Sequence, residues 1–224
     1  MDREVYRLLS SYFGRRSPWE GLAKNRKYIL REFRRPFSNL VITLLSQNTS
    51  DANAIRAYEN LKRLGLTTVD SILRADLKTL EKAIAVAGLQ RRKANSLKQL
   101  AKLLEERFDG DASRLCGLSR EELKRLPGIG EKTADVFLSY ACGKDEAIVD
   151  RNIRRVLIRL GLGRENSSYG ELKKAIEELA PEGKRKRMHE LLLMLGREIC
   201  RARSPSCTQC PIRNLCAHTR TFKC

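Results

Sequence analysis

The 224-residue chain carries 45 Lys and Arg against 27 Asp and Glu, a formal net charge of +18. That excess suits a polyanion, nucleic acid first, and no long amphipathic segment stands apart to favour an acidic membrane surface instead. No apolar run approaches the roughly 20 residues of a membrane span, and the opening MDREVYRLLSSYFGRR lacks a secretory signal, so the expected location is the cytoplasm, on the nucleoid, or the nucleus in a eukaryote.

Apolar residues recur at helical spacing along the chain, and the expected class is all-α. In PFSNLVITLLS, Ser38 is the expected cap ahead of Leu40, Val41, Leu44 and Leu45. That apolar helix ends in the polar run Ser46, Gln47, Asn48, Thr49, Ser50 and Asp51, where Ser50 or Asp51 is expected to cap the next helix. TTVDSILRADLKTLEKAIAVAG and KANSLKQLAKLLEERF keep three- and four-residue apolar spacing, with Leu89 in the turn after Gly88. LSREELKRL opens with Ser119 and Glu122, the pattern of a capping box. Gly65, Gly88, Gly110, Gly143 and Gly161 mark expected helix ends. The run PEGKRKRMHELLLMLGREICRAR reads either as a solvated basic helix or as a phosphate path.

ELKRLPGIGEKTADVFLSYACG predicts two helices around a tight turn. Pro127 stops the first by removing a backbone donor, and Gly128 and Gly130 let a partner approach the main chain. Their N–H groups and the opening donors of the second helix, expected over about Glu131 to Ala141, suit an anion such as a DNA phosphate. Two glycines alone also fit an ordinary helix connection.

Lys132 falls in the first turn of that second helix, where the helix end already carries partial positive charge. The neutral amine is favoured there, and a neutral amine can form a Schiff base with an aldehydic sugar carbon. An exposed lysine touching phosphate is the simpler alternative. Eighteen residues on, Asp150 ends the apolar stretch of AIVDRNIRRVLIRLG and is the expected N-cap of the next helix. Backbone donors there favour an ionised carboxylate, able to stabilise oxocarbenium charge while also capping.

The chain has seven cysteines, and Cys200, Cys207, Cys210 and Cys216 are spaced C-x6-C-x2-C-x5-C. In a reducing compartment metal or cluster ligation is expected rather than disulfides. Four thiolates suit either zinc or a [4Fe–4S] cluster. Pinned at both ends, the Cys200–Cys207 loop is expected to present Arg201 and Arg203 to phosphates. Cys116, Cys142 and Cys224 lie outside the pattern, and Cys142 is expected to be a small packing residue. His189 and His218 are expected in surface or packing roles.

The string L-P-G-x-G-x-K-T-A resembles the helix-hairpin-helix motif of DNA glycosylases. Together with V-D before the next helix and the cysteine spacing, it resembles the endonuclease III family of the helix-hairpin-helix-GPD superfamily, from about Phe37 to Cys216. That resemblance implies two helical domains flanking a DNA-binding cleft. Residues 29–143 would form a helical bundle carrying the hairpin at about 121–141, and residues 1–28 with 144–224 the iron–sulfur domain. It implies Lys132 as Schiff-base nucleophile, Asp150 as essential carboxylate, and a mainly structural [4Fe–4S] cluster on the four spaced cysteines. DNA contacts would come from Gly128, Gly130, Thr133, Arg201 and Arg203, with Ile129 the apolar knuckle of the hairpin.

The implied function is base-excision repair. A bifunctional glycosylase and AP lyase would remove oxidised pyrimidines, acting as a monomer on double-stranded DNA with a damaged base or abasic site. Flipping is required because the reacting carbon is inaccessible within the stack. Gln47 or Asn48 would fill the gap, and Leu89 would serve as wedge. The chain departs from the family pattern at Gln47-Asn48, at Gln90, Arg91 and Arg92, and at Arg151-Asn152 after Asp150. The alternatives are a mismatch uracil/thymine or 8-oxoguanine glycosylase of the same superfamily, and a non-catalytic DNA-binding module.

Overall fold

The computed structural model describes residues 2–19 and 26–221, and among them every regular element is helical. The chain forms two compact units, one of Met1–Glu20 with Asp145–Cys224 and one of Gly21–Lys144. Helix α1 (Asp2–Phe13) belongs to the first. The second holds α2 (Arg26–Phe33), α3 (Pro36–Leu45), α4 (Asp51–Arg63), α5 (Val69–Arg74), α6 (Leu77–Ile84), α7 (Gln90–Phe108), α8 (Arg120–Lys124) and α9 (Glu131–Val136). The chain returns to the first unit with α10 (Arg151–Leu160), α11 (Tyr169–Leu179), α12 (Arg185–Glu198) and α13 (Ala217–Thr221).

In the Gly21–Lys144 unit, α3 is buried from Ser38 to Leu45 and forms the centre of the core, with α4 and α7 against it. Pro36 occupies the first turn of α3 with its φ preset, so the helix begins at Arg35 as N-cap. Ser38 therefore sits inside the helix instead of capping it, which corrects the sequence expectation. Its hydroxyl donates to Glu32 Oε2 at 3.1 Å. The buried Tyr58 hydroxyl donates to the same oxygen at 2.8 Å and lies 2.8 Å from Ser38 Oγ. Burial, above all, pushes the Tyr58 hydroxyl up, so it remains a protonated donor.

Local capping follows the sequence closely elsewhere. Ser50 accepts from the Asn53 amide at the start of α4, and Ser119 and Glu122 complete a reciprocal capping box on α8. Asp150 caps α10. Gly65, Gly88, Gly110, Gly143 and Gly161 all adopt positive φ, which glycine reaches without a side-chain penalty.

Cys116 and Cys142 form a disulfide, their Cα atoms 5.4 Å apart. This overturns the expectation that Cys142 merely packs. Cys116 lies in the 3-10 turn Ala112–Gly117 ahead of α8, and Cys142 follows a π-helical turn, Phe137–Ala141, that continues α9. The fold returns the chain to its starting point over 26 residues, a closure that residue spacing alone does not reveal. Cys224 lies outside the described residues.

In the other unit, α12 packs on α1, α10 and α11. Its residues Met188, His189 and Leu191–Gly196 are buried, so the basic run opens a core helix. Asp145 receives the Arg185 and Lys186 amides at 3.0 and 2.9 Å, supplying the acidic group this helix start favours. Gly196 is required for the crossing with α10, because a Cβ there would lie 3.0 Å from Asn152 Cβ and 3.2 Å from the Asn152 carbonyl.

Candidate nucleic-acid interface and metal centre

The hairpin is built from α8, the turn Pro127–Gly130 and α9. Gly128 takes φ 76°, and Ile129 is buried at 5% exposure, packed with the core of its unit. Gly130 is the N-cap of α9 and has no side chain to occupy the first amides of that helix. Such amides suit an anion. Lys132 is exposed in this first turn, and Thr133 behind it is buried. Sequence reasoning missed the brace holding the two helices together. Arg120 of α8 grips the fully buried Asp135 of α9 with both arms of its guanidinium, at 2.8 and 3.2 Å. The only sequence signal was an acid on the apolar face of KTADVF.

Three non-glycine residues of the same unit adopt left-handed backbone, Asn48 at φ 55°, Leu89 at φ 49° and Asp109 at φ 53°. Asn48 is exposed, and Leu89 is a large apolar side chain left 51% exposed. Gln47 is placed differently. Its amide donates to the Gly128 carbonyl at 3.0 Å and reaches Thr133 Oγ1 at 3.5 Å, so it braces the hairpin turn.

In the unit containing α10, Asp150 Oδ1 accepts the Ile153 amide at 2.8 Å, and Oδ2 accepts the Asn152 side-chain amide at 3.0 Å. Asn152 Oδ1 in turn accepts from Arg155 at 3.2 Å. The Arg155 guanidinium also donates to the carbonyls of Gly196 at 2.8 Å and Cys200 at 3.0 Å. The Asp150 carboxylate is thus aimed by a chain of hydrogen bonds that ends at the cysteine segment. Neither Asn152 nor Arg155 was recognised as a support in the sequence. The i, i+3 spacing of Asn152 and Arg155 on one helix was the available signal.

Cys200, Cys207, Cys210 and Cys216 remain thiols, unlike the Cys116–Cys142 pair. Short 3-10 turns, Cys207–Gln209 and Arg213–Leu215, set Cys210 and Cys216 directly after them. Arg159 of α10 organises the start and end of the segment. It donates to Cys200 Sγ at 3.4 Å and to the carbonyls of Arg201 at 2.7 Å and Ala202 at 3.1 Å, and its own carbonyl accepts from Cys216 Sγ at 3.3 Å. Four soft sulfur donors suit an iron–sulfur cluster. Arg201 turns back on its own loop, donating to Ser204 O and Ser206 Oγ at 3.3 and 3.2 Å, while Arg203 is exposed. His189 Nδ1 lies 2.8 Å from the Ile148 carbonyl and is buried, a packing position.

Residues 41–182 match the family described as HhH-GPD superfamily base excision DNA repair protein, and residues 200–216 match the iron–sulfur binding domain of endonuclease III. The chain is 34% identical to Endonuclease III of Sulfolobus acidocaldarius over 192 residues, 85% of this chain and 86% of that protein. It is similar to a structure solved as a non-covalent Endonuclease III–DNA complex, with TM-score 0.80, 30% identity, and coverage of 99% of this chain and 97% of the other. A structure solved as a trapped Endonuclease III–DNA covalent intermediate is similar at TM-score 0.79 and 29% identity, covering 99% and 98%. The chain therefore belongs to the endonuclease III family of helix-hairpin-helix-GPD base-excision DNA repair glycosylases, and its four-cysteine segment is that family's seat for a [4Fe–4S] cluster.

Proposed function

We propose that the protein is a bifunctional DNA glycosylase and AP lyase that removes oxidised pyrimidines from duplex DNA, acting as a monomer. The observation that carries this reading is Lys132, an exposed amine in the first turn after the hairpin glycines. The similar protein trapped covalently on DNA supports it. In the proposed reaction the hairpin amides engage phosphate, the buried Thr133 staying beneath them, and the damaged nucleotide leaves the stack. Asn48 and Leu89 fill the space it vacates, with Gln47 bracing the turn. Lys132 Nζ attacks the sugar C1′, the C1′–N bond breaks, and the departing base takes up a proton. Asp150 stabilises the positive charge developing on the sugar.

The C1′–O4′ bond then opens, O4′ taking up a proton as C1′ becomes the iminium carbon, and loss of a proton from C2′ expels the 3′ phosphate by β-elimination, nicking the strand. The cluster, when bound, ties four thiolates into one loop and supplies no step of this chemistry. Arg203 and the backbone of that loop meet phosphate.

Borohydride reduction on a duplex with a preformed abasic site is the test. A covalent adduct is expected with wild type and is expected to vanish in Lys132→Ala of unchanged fold. Wild type that binds the duplex yet forms no adduct would overturn the lyase reading and favour a binding module. Duplexes carrying thymine glycol, uracil·guanine, thymine·guanine or 8-oxoguanine test the base preference, and fastest excision of thymine glycol is expected.

A further inference from the structure

Lys93 is 3% exposed, and its amine donates to the Leu45 carbonyl at 2.7 Å and to the Ala87 carbonyl at 2.8 Å. Burial pushes this amine down from its ordinary value, which makes an interior lysine an unfavourable choice for mere packing. Its two acceptors close two separate segments. Leu45 is the last residue of α3, three positions before Asn48. Ala87 ends a short 3-10 turn, two positions before Leu89. The Lys93 main-chain amide also donates to the Leu89 carbonyl at 3.0 Å. One residue thus ties down the approach to two left-handed residues, Asn48 and Leu89. An exposed leucine in disfavoured backbone holds its place only when its flanks cannot relax.

We propose that Lys93 is a positioning residue that holds the Asn48 and Leu89 loops as a fixed pair, so that extrusion of the damaged base depends on it while the later bond-breaking does not. The proposal rests on the reading that these two side chains enter the vacated space. A neutral, unbranched replacement removes both donors while keeping much of the volume, which makes Lys93→Met the informative variant.

Single-turnover rates are measured on a thymine glycol duplex, or on a uracil·guanine duplex if that is what wild type excises, and on a preformed abasic site. Lys93→Met is expected to slow excision at least tenfold and abasic-strand cleavage by less than threefold. A 2-aminopurine placed beside the lesion reports unstacking and is expected to lose its early fluorescence rise. If Lys93→Met does not fold by circular dichroism, Lys93→Gln, which keeps a side-chain donor, takes its place. In a Leu89→Ala background the lysine change is expected to add little, since both act on one step. Equal slowing on both substrates, or fully multiplicative losses in the double variant, would overturn the proposal. Unchanged excision in Leu89→Ala alone would instead remove the wedge reading on which it rests.

Discussion

The Gln47 side-chain amide donates to the Gly128 carbonyl at 3.0 Å, joining positions 81 residues apart in the chain. The end of α3 is thereby fixed to the turn of the hairpin. The turn has little freedom to adjust, because a Cβ at Gly128 would lie 3.2 Å from Leu44 Cδ1 and 3.5 Å from Ser96 Cβ, on a backbone of φ 76°. Gly128→Ala is expected to lower stability by about 1–2 kcal/mol from the left-handed backbone alone. It should also weaken DNA binding at fixed salt. Denaturant midpoints and a fluorescence anisotropy titration check both, and an unchanged midpoint would contradict the strain argument.

The Arg120–Asp135 pair offers a sharper stability test. Asp135 is fully buried and Arg120 three-quarters buried, so removing the guanidinium takes a two-point, charge-assisted hydrogen bond from a buried carboxylate. Arg120→Met is expected to cost about 3–5 kcal/mol, the range seen for breaking buried pairs. Urea unfolding at neutral pH measures it. Replacing both partners together, with Asp135→Leu, should cost less than the single change.

The Cys116–Cys142 bond closes a segment that contains the whole hairpin. Chain-entropy reasoning for a closure of this size gives about 3–4 kcal/mol of stabilisation. The double variant Cys116→Ser/Cys142→Ser is expected to unfold at correspondingly lower urea. The comparison belongs in variants, because added reductant also acts on the cluster thiols. Coincident unfolding curves would show that the bond does not form in solution.

Acid stability should depend on Glu32. Burial pushes its carboxyl up, but hydrogen bonds from Tyr58 and Ser38 and the charges of Arg35 and Lys62 outweigh burial and hold it below the ordinary range. Its folded value then lies below its unfolded one, so the unfolded chain binds the proton more readily. The stabilisation is complete above the unfolded carboxylate range and disappears as pH falls through the folded value. Urea unfolding of wild type and Glu32→Gln from pH 7 to pH 3 should show the wild type losing more stability than the variant. Parallel curves would refute the assignment.

Asn152 aims the Asp150 carboxylate at 3.0 Å and is itself held by Arg155. Asn152→Ala is expected to reduce the single-turnover excision rate about tenfold or more, while the Asp150 cap on Ile153 keeps α10 formed. Circular dichroism and excision kinetics together separate the two effects. A variant that excises normally would show that Asp150 needs no such support.

The sequence alone determined the helical class, the caps at Ser119 and Asp150, the positive-φ glycines and the four-cysteine spacing, and it narrowed the cap of α4 to Ser50 or Asp51, because each depends on residues within a few positions of one another. Tertiary structure decided that Cys116 meets Cys142, that Asp135 is braced by Arg120, and that Lys93 spans two loops. It also separated Gln47 from Asn48, adjacent residues with opposite fates, one hydrogen-bonded to the hairpin and the other exposed. Local propensity acts along the chain, whereas these pairings arise only when packing the apolar faces brings distant polar groups together and burial obliges each of them to find a partner.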